Sequence, residues 1–162
     1  YLIRHAIAEE RSEAWPDDRR RPLSADGVDR MEKAARGLVE LGVRFDVLLT
    51  SPLLRTRQTA EIVASAYERR PRIVAVESLA PEGTYAAVLA DLAAQSPMSH
   101  IGVVGHEPNV GDLAGRLLGC GRALPFKKGA ACRIDVDALP PEEPGTLRWF
   151  LSPAILRALG RR

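Results

Sequence analysis

The chain has 162 residues, 46% of them hydrophobic, and its 23 Lys and Arg nearly balance 21 Asp and Glu to leave a net charge of +2. That length suits one domain with a full core, and no apolar run approaches the roughly 20 residues needed to cross a bilayer. With aromatics at 5% and no long basic stripe the composition excludes a nucleic-acid binder, and two cysteines are too few for a disulfide framework.

Tyr1–Arg4 is a short apolar strand. No basic, apolar and small-residue series precedes it, so no signal peptide and a cytoplasmic location are expected. The missing initiator Met leads us to expect a residue or two ahead of Tyr1. Residues 6–23 are polar and broken by Pro16 and Pro22, which predicts a long loop of the kind that carries function. Its basic run Arg19-Arg20-Arg21, flanked by Asp17 and Asp18, reads as a solvated loop or as a rim that attracts an anion.

Ser24 is a helix cap, followed by Val28, Met31, Ala35, Leu38 and Val39 at helical spacing, with Gly42 ending the helix. Phe45–Leu49 is a buried strand. Ser51-Pro52 is expected to open the next helix, with a cap and a first-position proline, and to run to about Arg69. Arg72–Val76 is a third strand, Tyr85–Ala94 a helix, His100–Val104 a strand, and Pro108 opens a helix reaching Leu118. Ala130–Val136 and Leu147–Leu151 complete the strands around a Pro-rich turn at 139–145. The alternation predicts a single-domain, three-layer α/β/α sandwich around a mostly parallel sheet, covering residues 1–162.

Three segments put polar residues where apolar strands end, the place where ligands gather in such sheets. Arg4-His5 follows the first strand, Thr50-Ser51-Pro52-Leu53-Leu54-Arg55 the second, and Gly105-His106-Glu107-Pro108 the strand ending at Val104. A lone histidine at a strand end is more often structural than catalytic. Arg4 changes the balance, because a guanidinium at a buried strand end requires an anion. Arg55 sits in a helix's first turn, where a cation is mildly disfavoured unless an anion binds there too. Two imidazoles and two guanidiniums without a carboxylate cluster make a site for phosphate, with no metal and no cofactor expected. Cys120 and Cys132 offer no alternative: they lack the neighbours of a zinc site. Six residues beyond them stand Phe126 and Ala138, where a cysteine phosphatase needs an arginine.

Leu2–Ala6, Thr50–Glu61 and Val103–Pro108, in that order, resemble the histidine phosphatase (phosphoglycerate mutase-like) superfamily, and most of all its SixA-type branch of phosphohistidine phosphatases. Arg21–Gly27, Leu79–Gly83 and Leu151–Pro153 extend the resemblance over nearly the whole chain. It departs at Ala6, where the family has glycine, and the turn is expected to lose some backbone freedom.

The resemblance implies a phosphoglycerate mutase-like fold with His5 as the residue that accepts the phosphoryl group. Arg4 and Arg55 would hold the non-bridging oxygens and His106 would hydrogen-bond the transferred group. Glu82 lies where larger relatives place the proton donor, by a loose match. The implied activity is metal-independent hydrolysis of phosphohistidine on a protein such as a histidine phosphotransfer domain, a role in signal transduction. Gly105 follows Arg55 by only 50 positions, which leaves little room for a lid and favours a protein substrate. Two alternatives stay open: a phosphatase of a small phosphate ester, and a catalytically silent phosphoprotein-binding domain.

Overall fold

Strand and helix alternate as the hydrophobic pattern requires, and the computed structural model describes residues 1–161 of the chain. The strands are β1 (Leu2–Arg4), β2 (Val47–Thr50), β3 (Arg72–Ala75), β4 (Ile101–Gly105), β5 (Ala131–Asp135) and β6 (Thr146–Leu151). The helices are α1 (Ala25–Glu40), α2 (Leu54–Ser65), α3 (Tyr85–Ala93), α4 (Asn109–Leu117) and α5 (Pro153–Leu159).

The six strands form one sheet in the order β3-β2-β4-β1-β5-β6. β3, β2, β4 and β1 run parallel, while β5 lies antiparallel to both β1 and β6. The sheet is mostly parallel, as expected.

Period-two alternation divides the strand residues between two cores. Ile3, Leu48 and Val104 pack with Ala35, Leu38, Val63 and Leu156 beneath α1, α2 and α5. Leu2, Val47, Leu49 and Val103 face the other way, toward Val88 and Leu92 of α3 and Val110, Leu113 and Leu117 of α4. This is the expected three-layer arrangement. A parallel sheet covered on both faces has strands that read as unbroken apolar runs, and all four residues of β2 are buried.

Two local expectations change. Ser51-Pro52 does not open α2: the residue before that helix is Leu53, with no side-chain cap. Ser51 is fully buried and its hydroxyl faces His106 instead. The second change is α5, which went unrecognised because it is short. It begins at Pro153 behind a Ser152 cap. It lies so close to α1 that a Cβ on Gly37 would stand 2.0 Å from the Leu156 carbonyl oxygen.

Candidate active site

β2, β4 and β1 are neighbours, so their carboxyl ends form one row. Pairing continues a residue past the strands: the His5 amide donates to the Gly105 carbonyl at 3.0 Å, and the Ser51 amide to the Val104 carbonyl at 3.1 Å. Sheet register alone therefore sets His5, Ser51 and His106 side by side. The His5 and His106 rings lie 5.2 Å apart between centroids, and both are buried.

The His5 Nδ1 is 2.6 Å from the Ala6 carbonyl oxygen. A carbonyl only accepts, so Nδ1 carries the proton and Nε2 keeps its lone pair. The Ala6 amide in turn donates to Thr59 Oγ1 at 3.1 Å, and that hydroxyl donates to the Arg55 carbonyl at 2.7 Å. Ala6 does this in ordinary backbone geometry, since no described non-glycine residue has a positive φ. The freedom of a glycine is not needed here.

Both arginines reach this end of the sheet. Arg4 Nη1 donates to the Phe126 carbonyl at 2.6 Å, while the Phe126 amide donates to Glu107 Oε1 at 2.8 Å. Arg55 is 4% exposed. Its Nη1 donates to the Asp18 carbonyl at 2.8 Å and its Nη2 pairs with Asp18 Oδ2 at 3.0 Å. The long loop makes this possible: an Ala8–Leu23 bridge closes its base, and a 3-10 turn over Asp18–Arg20 brings Asp18 onto Arg55. Asp18 also pairs with Arg21 at 2.8 Å and Arg11 at 3.4 Å. Burial alone would raise its carboxyl, but the Arg21 hydrogen bond and the three positive charges hold it below the usual range.

The basic run thus splits by function. Arg21 turns in to Asp18, Arg19 pairs with Glu77 at 3.0 Å, and Arg20 stays exposed. Lys128 edges the site, near enough for its charge to act on His5. The turn that carries it returns at Gly129, whose φ of 77° demands glycine and whose amide donates to the Arg4 and His5 carbonyls.

Burial is the first cause that pushes the His5 imidazole down to about 4; the charges of Arg55, Arg4 and Lys128 add to it and the bond to Ala6 opposes it. Desolvation thus outranks the neighbouring guanidiniums in keeping this imidazole unprotonated. His106 falls to about 3, again by burial first, then through His5 and Arg55. Both imidazoles are neutral near pH 7. Three buried nitrogens, Arg4 Nε, Arg55 Nε and His106 Nδ1, have no protein partner. A cluster of unsatisfied donors is costly unless a ligand accepts from it.

The shifts make a prediction about stability. Unfolded histidines protonate near ~6.5, whereas these two protonate in the fold only near about 4 and about 3. The unfolded chain therefore binds more protons across that window, so stability is full above ~6.5 and falls on acidification, by up to ~1.4 kcal/mol per unit for each histidine. Denaturant midpoints should drop between pH 7 and 4, and drop less in His5→Ala and His106→Ala. A pH-independent midpoint in the native chain would contradict the burial argument.

Glu82 lies between Pro81 and Gly83, which line a cavity beside His106. It is exposed, takes part in no ion pair or side-chain hydrogen bond among the described residues, and lies near Arg19. Its loop is tied to α4, with Asn109 Nδ2 donating to the Ala80 and Pro81 carbonyls at 3.4 and 3.1 Å. Asp18, Ser51, Thr59 and Glu107 join the site beyond the residues that the sequence patterns single out. Only Asp18 left a usable signal, since a buried Arg55 requires a carboxylate and Asp18 heads the loop's charged run. No group of three or more His, Cys, Asp or Glu side chains placed to hold a metal ion occurs among the described residues. No described helix is long and apolar enough to span a membrane.

The three-layer fold around a mostly parallel sheet, with paired histidines and arginines at the sheet's carboxyl edge, matches the phosphoglycerate mutase-like fold of solved structures. The histidine phosphatase superfamily (branch 1) model matches residues 1–80. The chain is 30% identical to phosphohistidine phosphatase SixA of Escherichia coli over 141 residues, 85% of this chain and 84% of that protein. It is 42% identical to an uncharacterised protein of Picosynechococcus sp. over 116 residues, 70% of this chain and 69% of that one. The solved structure of the protein histidine phosphatase SixA with tungstate superposes with a TM-score of 0.84 at 28% identity, covering 96% of this chain and 97% of that one. The chain belongs to the histidine phosphatase superfamily, in its SixA-type branch.

Proposed function

We propose that this protein hydrolyses phosphohistidine on a partner protein through a phosphoryl group carried on His5. One observation carries the reading: the Ala6 carbonyl holds the Nδ1 proton, which leaves Nε2 unprotonated, with a free lone pair, in a site shared with Arg4, Arg55 and His106. In the first step a bond forms from Nε2 to phosphorus as the phosphorus–nitrogen bond of a substrate imidazole protonated on its other nitrogen breaks, so that the substrate histidine leaves neutral and His5, keeping its Nδ1 proton, becomes the phosphorylated cation. In the second, a water oxygen bonds phosphorus and the Nε2 bond breaks; both water protons stay with orthophosphate and His5 returns to its neutral Nδ1–H form. Arg4, Arg55 and His106 stabilise charge on the three non-bridging oxygens, the service a metal performs in other phosphoryl-transfer sites.

The substrate class rests on the likeness to SixA and on the leaving group. An imidazole needs little acid assistance, which suits a site whose candidate donor, Glu82, is an exposed loop residue. One observation favours the second reading, a small phosphate ester. A cavity of about 330 Å³ opens beside His106, lined in part by Leu79, Tyr85, Val88, Pro108 and Asn109, and would take an organic leaving group.

A panel pairing a phosphorylated histidine phosphotransfer domain with sugar, nucleotide and terpenoid phosphates separates the two. The protein substrate should show the highest kcat/KM, and Glu82→Gln should slow only the esters, by ~10²–10⁴-fold if Glu82 is their proton donor. A large preference for one small ester would replace the protein-substrate reading.

A further inference from the structure

We infer that Ser51 holds His106 in the tautomer with its proton on Nδ1, which makes this second imidazole a hydrogen-bond donor to the phosphoryl group. The inference rests on the proposed reading, in which His106 meets the transferred phosphate.

Ser51 Oγ lies 2.9 Å from His106 Nε2, and both side chains are buried. Two assignments fit that distance. If Nε2 donated, Ser51 Oγ would accept from it and also from the Leu53 amide, at 3.4 Å. The serine proton would then have no acceptor, because Oγ has no further partner among the described hydrogen bonds and the residue is 0% exposed. If Ser51 donates to Nε2, Oγ accepts from Leu53 and gives its own proton to the ring, which leaves one group without a protein partner, Nδ1–H, against two in the first assignment, the serine proton and a bare Nδ1. Each buried polar group left unpaired costs on the order of 1–3 kcal/mol, so the assignment with fewer of them is the populated one.

The consequence appears on the other side of the ring. Nδ1 then carries a proton and is buried without a protein partner. An anion is the acceptor that completes it. In the opposite tautomer Nδ1 would present a lone pair to a phosphoryl oxygen and repel it. The choice matters because His106 is neutral, so only one of its nitrogens has a proton to give.

Ser51 itself has little freedom. Its amide is paired to β4 through Val104, and its carbonyl accepts from Thr56 Oγ1 at 2.9 Å and Thr50 Oγ1 at 3.1 Å. The sheet thus positions the residue that sets the histidine's proton.

Because the chain has only three histidines, 15N-histidine labelling with long-range 1H–15N correlation reports each tautomer, with His106→Gln assigning the signal. Wild type should show His106 protonated on Nδ1, and Ser51→Ala should move it toward the Nε2–H form. Unchanged His5 signals confirm that the variant is folded; Ser51→Cys, which keeps the volume with a weaker donor, should move part of the way and serves if alanine misfolds. kcat/KM on phosphohistidine should fall ~10–100-fold in Ser51→Ala, and the loss should nearly vanish in a His106→Gln background. An Nε2–H His106 in wild type, a tautomer unmoved in Ser51→Ala, or fully additive losses would overturn the assignment. A protein without phosphohistidine phosphatase activity would sink the proposed function while leaving the tautomer result readable.

Discussion

His5→Ala should lower kcat/KM on a phosphohistidine substrate by at least ~10⁴-fold, the scale of removing a covalent nucleophile. The magnitude follows from what no neighbour can replace. His106 lies 5.2 Å away between ring centroids, but its Nε2 is engaged by Ser51. The remaining lone pair at the site is therefore the His5 Nε2. The variant should still bind orthophosphate, because Arg4, Arg55 and His106 are untouched; binding by isothermal titration beside steady-state kinetics checks both halves. Retained turnover would remove His5 from the chemistry, whereas lost turnover together with lost anion binding would point to a collapsed site.

The second large effect is expected at Arg55. This guanidinium already gives one nitrogen to the Asp18 carbonyl and another to the Asp18 carboxylate, and its Nε is buried without a partner. Removing a charge-stabilising donor of this kind costs ~10²–10³-fold in kcat. Arg55→Ala should show that loss in kcat as well as in KM. Arg55→Lys should recover little of it, because one ammonium cannot bridge Asp18 and a phosphoryl oxygen as a planar fork does. Stability should change less than activity, since Asp18 keeps Arg21 and Arg11 as partners and its side chain is 37% exposed. Thermal unfolding of both variants beside their kinetics tests the distinction. An Arg55→Lys enzyme with near-native kcat would refute the bidentate role.

What could be read from the chain follows the range of the forces involved. The strands were legible because a sheet covered on both faces demands unbroken apolar runs, and Val47–Thr50 is such a run. The four polar residues at the carboxyl edge were legible because Arg4 and Arg55 violate the expectation for buried positions unless an anion waits there. Asp18 was read as part of a solvated charge run, although it lies 37 residues from Arg55 in sequence and 3.0 Å from it in space. Ser51 was misjudged for a similar reason. Locally Ser-Pro is a helix-start signal, and only the pairing of β2 with β4 turns the serine toward His106. Long-range register decided what local propensity could not.

Glu82 shows the converse. Its position came from a loose motif match, and the structure leaves it on an exposed loop that Asn109 tethers beside the site. Its proposed role now attaches to ester substrates alone.

The central claim is that His5 carries the phosphoryl group. Mixing the enzyme rapidly with a phosphorylated histidine phosphotransfer domain, quenching without acid and mapping the adduct by mass spectrometry tests it directly. An acid-labile phosphoryl group should appear on His5 and be absent from His5→Ala. Full turnover with no adduct, or an adduct on His106, would contradict it.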